Sequence, residues 1–211
     1  MGFYREKVFP WLIDHVVTGE EIEAIRDRVI EKAAGHVIEI GSGTGANFLS
    51  YSDAVRSLTT VDPNPGMNKI ARRRIKYLEF PVDSREQRCE KLSIKDASFD
   101  FAVTTLTLCS LTDVENSLKE IYRVLKPGGR LLFLEHGLSA AGRVGRWQDR
   151  VTPLHSRVFD GCHLNREIDS LVRSAGFTID ELTNYYLERV PNIFGYMYEG
   201  VASKSTTISS S

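Results

Sequence analysis

Residues 37–48 read VIEIGSGTGANF, an apolar strand sequence that runs directly into a glycine-rich turn. Gly41, Gly43 and Gly45 allow the backbone to turn sharply and to approach a ligand without a Cβ in the way. Asp62 follows about 20 residues further on, at the end of the next predicted strand. A carboxylate at that place can accept hydrogen bonds from both hydroxyls of a ribose. The stretch therefore predicts a site for a nucleoside cofactor.

The glycine pattern alone leaves the kind of cofactor open. Gly41, Gly43 and Ala46 also satisfy the dinucleotide fingerprint, and a tight turn without any ligand is a further alternative. Three features favour S-adenosylmethionine (SAM). Glu39 precedes the glycines, and the acidic end of the second strand continues as 62–65, DPNP. The rest of the chain is also short for the separate substrate domain that most dinucleotide dehydrogenases carry.

Strands alternate with helices along the chain, which predicts an α/β sheet with right-handed crossovers. Apolar runs predict five parallel strands at 37–40, 57–61, 77–82, 101–106 and 131–134. Two aromatic strands, at 177–187 and 195–202, are close enough in sequence to pair antiparallel. The stretch 137–164 shows no periodicity and is predicted to be irregular.

Helix signals complete the expected organisation. Thr18 and Glu21 predict a capping box for an N-terminal helix, Asn64 predicts a cap for a later one, and 46–51 predicts a helix start. We therefore expect an N-terminal helical cap at 1–36, a single α/β domain at 37–204 and a flexible polar tail at 205–211.

The composition bears on which partners the protein can bind and on the compartment in which it is expected. A formal net charge of −1 gives no general attraction to nucleic acid, and no apolar run reaches the ~20 residues of a membrane span. Three cysteines without a secretory signal are typical of the reducing cytoplasm. His155, Cys162 and His163 do not match the spacing of a structural zinc site, so no metal is expected.

The order of motifs resembles the class I SAM-dependent methyltransferases over nearly the whole chain. The motifs are EIGSGTG, VDPNP, ASFDFAV, TLTLCSL and EIYRVLKPGGRLLF. Two narrower segments, FLEHG and FDGCHLNRE, are most similar to the methyltransferase-like thiol S-methyltransferases and their small bacterial relatives. The resemblance implies a Rossmann-like fold, with a seven-stranded, mostly parallel sheet and helices on both faces. It also implies that SAM lies across the C-terminal ends of the first strands.

The resemblance carries a set of cofactor-binding residues onto this sequence by motif position. They are Glu39, Gly41, Ser42, Gly43, Gly45, Asp62, Pro63, Cys89, Glu90, Thr105 and Leu106. One position departs from the family pattern, because Arg88 stands where the family often has an aspartate for the adenine amine. Either Glu90 or the backbone of Cys89 is expected to take over that contact.

Three residues are candidates for catalysis. Glu135 and His136 close the fifth strand, where side chains can face the methyl group of the cofactor. His136 is the better base by its ordinary pKa, although a histidine there could instead orient a loop. Asp160 lies in the irregular stretch over the acceptor pocket, where it could hold a histidine in one tautomer.

The sequence thus predicts a SAM-dependent methyltransferase that acts on a small, apolar molecule, with a thiol as the first acceptor. The alternatives are N- or C-methylation of a phospholipid headgroup or a quinone-type precursor, and a SAM-binding module without catalysis. The expected partner is a small-molecule acceptor and not nucleic acid. Contact with a membrane surface and the oligomeric state are left open.

Overall fold

A computed structural model of the chain describes Lys7, Pro10 and residues 19–206. Seven strands form a single sheet. They are β1 (Gly35–Ile40), β2 (Val55–Val61), β3 (Val82–Arg85), β4 (Phe99–Thr105), β5 (Leu125–His136), β6 (Thr178–Tyr186) and β7 (Tyr196–Ser203). Their spatial order is β3-β2-β1-β4-β5-β7-β6. The first five strands are parallel, and β7 runs antiparallel to both β5 and β6. The expected seven-stranded, mostly parallel sheet is confirmed.

Six helices and one 3₁₀ turn connect these strands in the described part of the chain. The helices are α1 (Glu20–Ile30), α2 (Pro65–Ile75), α3 (Val114–Val124), α4 (Gly142–Val158), α5 (Ile168–Ser174) and α6 (Asn192–Gly195), and the turn is Phe48–Ser50. Consecutive residues of β5 enter two different cores, because strand side chains point alternately to opposite faces. Leu131 and Phe133 pack with α3 and α5, whereas Leu132 and Leu134 pack with α1. Helices therefore cover both faces of the sheet.

The central strands are buried on both faces, which explains why their sequences are continuous apolar runs. The strands predicted at 37–40, 57–61, 101–106 and 131–134 correspond to β1, β2, β4 and β5. The two aromatic strands are β6 and β7, and they pair antiparallel as predicted. The cap at Asn64 is also confirmed, since its side chain accepts hydrogen bonds from the backbone N–H groups of Gly66 and Met67.

The prediction of a strand at 77–82 is wrong in its position. The backbone N–H groups of Tyr77 and Leu78 bond back to Arg74 and Ile75, so this segment closes the end of α2. Tyr77 is 78% exposed and contributes no buried face to the sheet. The third strand begins only at Val82, where the chain reaches β2.

The helix predicted to start at 46–51 is only a 3₁₀ turn. Phe48 and Ser50 donate their N–H groups to carbonyls three residues earlier, at 3.2 and 3.0 Å. The backbone is already extended at Tyr51. The side chains of Asn47 and Tyr51 both bond a buried carboxylate below the turn, and this contact replaces further helical turns.

The stretch predicted to be irregular contains the longest helix of the described chain, the 17-residue α4. Its buried side is made of small and polar residues, Gly145, Gln148 and Thr152. Trp147 and Leu154 point outward and are 54% and 66% exposed. Because this polarity is the reverse of an ordinary amphipathic helix, the usual reading of apolar periodicity missed α4.

The start of α1 differs from the predicted capping box. The N-cap position is Gly19, and Thr18 lies outside the described residues. The carboxylate of Glu21 accepts a hydrogen bond from the backbone of Glu188 instead, at 3.0 Å. No helix between residues 19 and 206 is both long and apolar enough to cross a membrane.

Gly200 gives a test of how tightly β7 is packed. A Cβ at this position would lie 2.3 Å from the ring of Phe133 and 2.7 Å from the carbonyl oxygen of Glu181. We expect Gly200→Ala to lower the free energy of unfolding by about 1–3 kcal/mol, as overpacking does in other cores. Urea unfolding measures this. Gly142→Ala is the matched control, because its nearest neighbour would be 3.9 Å away. Equal losses in both variants would contradict the packing argument.

Candidate functional site

A large cavity opens at the C-terminal ends of β1, β2 and β4, where open α/β sheets bind their ligands. Its volume is about 1070 Å³. The wall is built by residues 41–44 and 46–47 of the glycine loop, by residues of the segments 61–67, 86–90 and 105–112, and by residue 136 and residues of 155–164 and 190–194. One cavity therefore joins the expected cofactor residues to the stretch expected over the acceptor.

Asp62 lies at the centre of the cofactor end. Its carboxylate accepts hydrogen bonds from the backbone N–H groups of Gly43, at 2.9 Å, and Asn64, at 2.8 Å. Burial raises the pKa of Asp62, and these two hydrogen bonds oppose that rise. A carboxylate offers about four acceptor sites, so each oxygen retains capacity for a further donor on the cavity side. This arrangement fits the two hydroxyls of a ribose.

The glycine loop approaches the fourth strand closely. Gly41 has a φ of +68°, and a Cβ there would lie 2.3 Å from the side chain of Thr107. Thr107 itself donates a hydrogen bond to the carbonyl of Gly41. Gly45 is also required, with a φ of +81°, but a Cβ there would meet the ring of Phe48. Gly45 does not line the cavity, and its contact is with the protein interior.

Two residues of the cavity wall each carry a buried polar atom that lacks a partner. The hydroxyl of Ser42 and the side-chain amide nitrogen of Gln87 are buried and have no hydrogen-bond partner among the described residues. Buried polar groups in proteins are nearly always paired, so polar groups of a bound molecule would complete them. The residues present therefore fit a polar nucleoside cofactor. Ser42 belongs to the predicted set, whereas Gln87 does not.

Glu39 lies beneath the loop and not on the cavity wall. Its carboxylate accepts hydrogen bonds from the amide of Asn47, at 2.9 Å, and from the hydroxyl of Tyr51, at 2.8 Å. The same amide nitrogen also donates to the hydroxyl of Thr105. Burial raises the pKa of Glu39 to about 7. Glu39 holds the loop from below, between β1 and β4.

The remaining predicted cofactor residues line the cavity. They are Pro63, Cys89, Glu90, Thr105 and Leu106. Glu90 forms an ion pair with Arg88 at 2.6 Å, so the arginine that departs from the family pattern is held beside the predicted adenine edge. Cys89 points its sulfur toward the carbonyl of Ser117, and burial raises its pKa to about 12.

The three predicted catalytic residues occupy different positions. His136 and Asp160 line the cavity, but Glu135 lies behind its wall. Glu135 accepts a hydrogen bond from the backbone of Thr107 at 2.8 Å, and burial raises its pKa to about 8. Glu135 therefore supports the segment after β4 and has no direct path to a molecule in the cavity.

His136 faces two sulfur atoms. Its Nε2 lies 2.8 Å from the sulfur of Cys162, which in turn lies 3.7 Å from the sulfur of Cys109. Burial lowers the pKa of His136, but the Cys109 sulfur and Glu135 outweigh it and raise the pKa overall. The hydrogen bond from Cys162 lowers the pKa of Cys109 and raises that of Cys162. Cys109 is not among the residues predicted from the sequence, although it lies in the TLCSL segment that contributed to the resemblance.

Arg166 holds the two cysteine-bearing loops together. Its guanidinium donates to the carbonyl oxygens of Leu108 and Leu111, on either side of Cys109. The backbone N–H of His163 donates to the carbonyl of Cys109 at 2.8 Å. Arg166 was also missed, and its position in FDGCHLNRE was the available signal.

An aromatic stack forms the wall beside these sulfur atoms. The ring of His155 stacks between Phe159, at 4.4 Å, and Phe194, at 5.5 Å. Its Nδ1 lies 3.1 Å from the carbonyl oxygen of Cys162, and burial lowers its pKa. These rings lie beside the polar groups of His136, Ser110, Asp160 and the cysteines, which suits a small, mainly apolar molecule with one soft reacting atom.

Comparisons with known proteins agree with this architecture. A methyltransferase domain family matches residues 38–133. Thiol S-methyltransferase TMT1A of Homo sapiens is 35% identical over 173 residues, which cover 76% of this chain and 69% of that protein. The ubiquinone/menaquinone biosynthesis C-methyltransferase UbiE of Pseudoalteromonas translucida is 35% identical over 105 residues, which cover 47% and 42%. The chain thus spans about two thirds of the first relative and less than half of the second.

A solved structure shares the fold. The N-methyltransferase NodS from Bradyrhizobium japonicum, in complex with S-adenosyl-L-homocysteine, matches with a TM-score of 0.70. The match covers 95% of this chain and 94% of NodS at 18% sequence identity. At that identity the similarity establishes the fold alone.

Asp62 can be tested directly. Charge-assisted hydrogen bonds contribute roughly 1.5–3 kcal/mol each, so Asp62→Ala should weaken SAM binding about tenfold or more in calorimetric titration. Asp83→Ala is the matched control, because Asp83 is exposed on β3 and pairs with Arg85 outside the cavity. The melting temperature of each variant without SAM separates lost contacts from a loosened loop. Unchanged affinity in folded Asp62→Ala would remove the cofactor from this place.

Glu39 predicts a pH dependence of stability. A carboxyl whose pKa is raised to about 7 on folding stabilises the protein fully below its unfolded pKa of 4.5. That stabilisation is lost as the pH rises through 7, by about 1.4 kcal/mol per unit of pKa shift. Between pH 5 and pH 8, wild type should therefore lose more unfolding free energy than Glu39→Gln. Urea unfolding at both pH values measures the difference, and parallel losses would show that Glu39 is ionised throughout.

Proposed function

Because the chain belongs to the class I SAM-dependent methyltransferases, we propose that it transfers the methyl group of SAM to the sulfur of a small, apolar thiol. The observation that carries this proposal is one cavity with two different ends. The Asp62 end offers acceptors for a ribose. The other end has a wall of stacked rings and presents His136 with the sulfur atoms of Cys109 and Cys162.

The cofactor end has a binding role. Asp62 would accept the ribose hydroxyls, and Ser42 and Gln87 would pair their buried polar atoms with the nucleoside and amino-acid parts of the cofactor. SAM supplies an electrophilic methyl group on a sulfonium when it is bound. The residues of the chain would fix the direction in which this methyl group points. The rate of methyl transfer depends mainly on such alignment, because the acceptor must approach in line with the bond that breaks.

The acceptor end would exclude water and orient the incoming sulfur. Phe159, His155 and Phe194 form a continuous apolar stack on the wall. An apolar wall of this kind favours a hydrophobic acceptor by removing its surface from water. It also strengthens the attraction between a thiolate and the positive charge of a sulfonium, since both lie in a dry site.

A thiol must lose its proton before it attacks well, because the thiolate is the nucleophile. We propose that His136 assists this step, since its Nε2 already lies at hydrogen-bond distance from a sulfur atom. Glu135 stabilises the wall behind it through Thr107. Asp160, on the cavity wall, would contribute a negative potential that favours the sulfonium.

The similarity to UbiE favours a second candidate, the C-methylation of a quinone precursor. An aromatic acceptor would also fit against the stack of His155. A SAM-binding module without catalysis is the third alternative. Labelled SAM incubated with a panel of thiols, amines, phenols and a demethylated quinone separates them. We expect S-adenosylhomocysteine to accumulate only with thiols. Turnover of the quinone alone would favour the second candidate, and retention of SAM without any turnover would indicate the module.

The role of His136 makes a graded prediction. Thiols of high pKa are mostly protonated at neutral pH, so His136→Ala should lower kcat/KM for them by about 10²–10⁴-fold. Thiols that are already ionised should lose much less. His163→Ala is the matched control, because the contact of His163 with Cys109 is made by its backbone. An equal loss on every thiol would show that His136 shapes the cavity and does not help to form the thiolate.

A further inference from the structure

Three soft donor atoms converge on the cavity wall. The sulfur atoms of Cys109 and Cys162 and a ring nitrogen of His136 all lie within 4.8 Å of one another. They come from three separate places, after β4, at the end of β5 and before α5. Two thiols and an imidazole are a ligand set that zinc prefers.

The distances are close to those that tetrahedral zinc requires. With Zn–S bonds of about 2.3 Å, two sulfur ligands of a tetrahedral ion lie about 3.8 Å apart. The observed separation between Cys109 and Cys162 is 3.7 Å. The Nε2 of His136 lies 2.8 Å from the Cys162 sulfur, and its separation would widen to about 3.6 Å around the ion. His136 can make this small movement, since its Nδ1 has no partner among the described residues.

The sulfur pair is held in place by bonds outside the cluster. Arg166 binds the carbonyl oxygens on both sides of Cys109, and His163 binds the carbonyl of Cys109 itself. The carbonyl of Cys162 is in turn contacted by His155. A preorganised ligand pair lowers the cost of binding an ion, because little backbone ordering remains to be done.

We propose that Cys109, Cys162 and His136 bind one Zn²⁺, and that the open fourth position takes the sulfur of the acceptor thiol. All three ligand residues line the cavity, so the ion would lie beside the space in which the acceptor would bind. Three protein ligands with one open position is the arrangement of catalytic zinc sites. The proposal of a zinc site depends only on the three side chains. The role of the ion toward the acceptor rests on the proposed function.

Methyl transfer at this site would begin from a zinc-bound thiolate. A thiol that coordinates Zn²⁺ gives up its proton to solvent and becomes a bound thiolate, so His136 assists this step as a ligand of the ion and not as the proton acceptor. The sulfur lone pair then forms a bond to the methyl carbon while the bond from that carbon to the sulfonium breaks. The electron pair of the broken bond stays on the departing sulfur, which leaves in S-adenosylhomocysteine. The product is a neutral thioether, a weaker zinc ligand than a thiolate, and it leaves the fourth position.

The metal content of the purified protein tests the site without any turnover. After ZnCl₂ is added and excess is removed, we expect about one zinc per wild-type chain by elemental analysis. Cys109→Ser and Cys162→Ser should each lower the zinc affinity by 100-fold or more, measured by competition with a chromogenic chelator. Cys89→Ser is the matched control, because this third cysteine lies outside the cluster. The melting temperature of each variant checks that it is folded.

Two outcomes of this experiment would overturn the proposal. One is wild-type protein that binds no zinc. The other is zinc bound equally by all the variants. A further test is to reduce the protein, remove the reductant, add zinc and look for a Cys109–Cys162 disulfide by mass spectrometry. Formation of that disulfide would also overturn the proposal, since the two cysteines would then be a redox pair.

The fourth position is tested with cobalt in place of zinc. Adding ethanethiol to the Co²⁺-loaded protein should strengthen the thiolate-to-cobalt charge-transfer absorption, and ethanol should not. An unchanged spectrum would overturn the role of the metal toward the acceptor. Failure of the proposed function gives a different pattern, in which zinc and ethanethiol both bind but no thiol is methylated in the acceptor panel. Full thiol turnover by zinc-free protein would instead overturn the inference and leave the proposed function intact.

Discussion

The fully buried carboxylate of Glu39 is the contact on which the cofactor end depends. It receives the side chains of Asn47 and Tyr51 from the far side of the glycine loop, and Asn47 also reaches Thr105 on β4. A buried carboxylate is costly unless it is hydrogen-bonded, so the loop can adopt few other positions. The position of the loop then brings the N–H of Gly43 to Asp62, which joins the ends of β1, β2 and β4 into one surface.

The sequence was sufficient to predict the sheet and the cofactor end because the signals there are local. Continuous apolar runs identify strands that are buried on both faces, and the glycine loop and Asp62 lie within one β-α-β unit. Most of the residues carried over by motif lie on the cavity wall, but Glu39 and Gly45 lie behind it. A motif therefore identifies the neighbourhood of a ligand without separating the residues that touch it from those that support them.

The acceptor end was harder to predict for two physical reasons. Helix α4 packs its small and polar face inward, so its apolar residues describe the surface and not the core. The cluster of Cys109, His136 and Cys162 is assembled from distant parts of the chain. The spacing rules for metal sites apply to ligands close together in sequence, so they could not indicate that these three side chains lie together.

The order of these elements along the chain separates most of the two ends of the cavity, and Cys109 is the acceptor-end residue that lies with the cofactor residues before α3. The part of the chain before α3 contains the glycine loop, Asp62, Gln87 and Thr105. The part after α3 contains His136, His155, Cys162 and Phe194. The two halves meet mainly through β4 and β5 and through the clamp of Arg166. Exchange of the later half between related proteins would therefore change what is methylated while leaving donor binding intact. In such a lineage, new acceptors would evolve in the last third of the chain, against an unchanged first half.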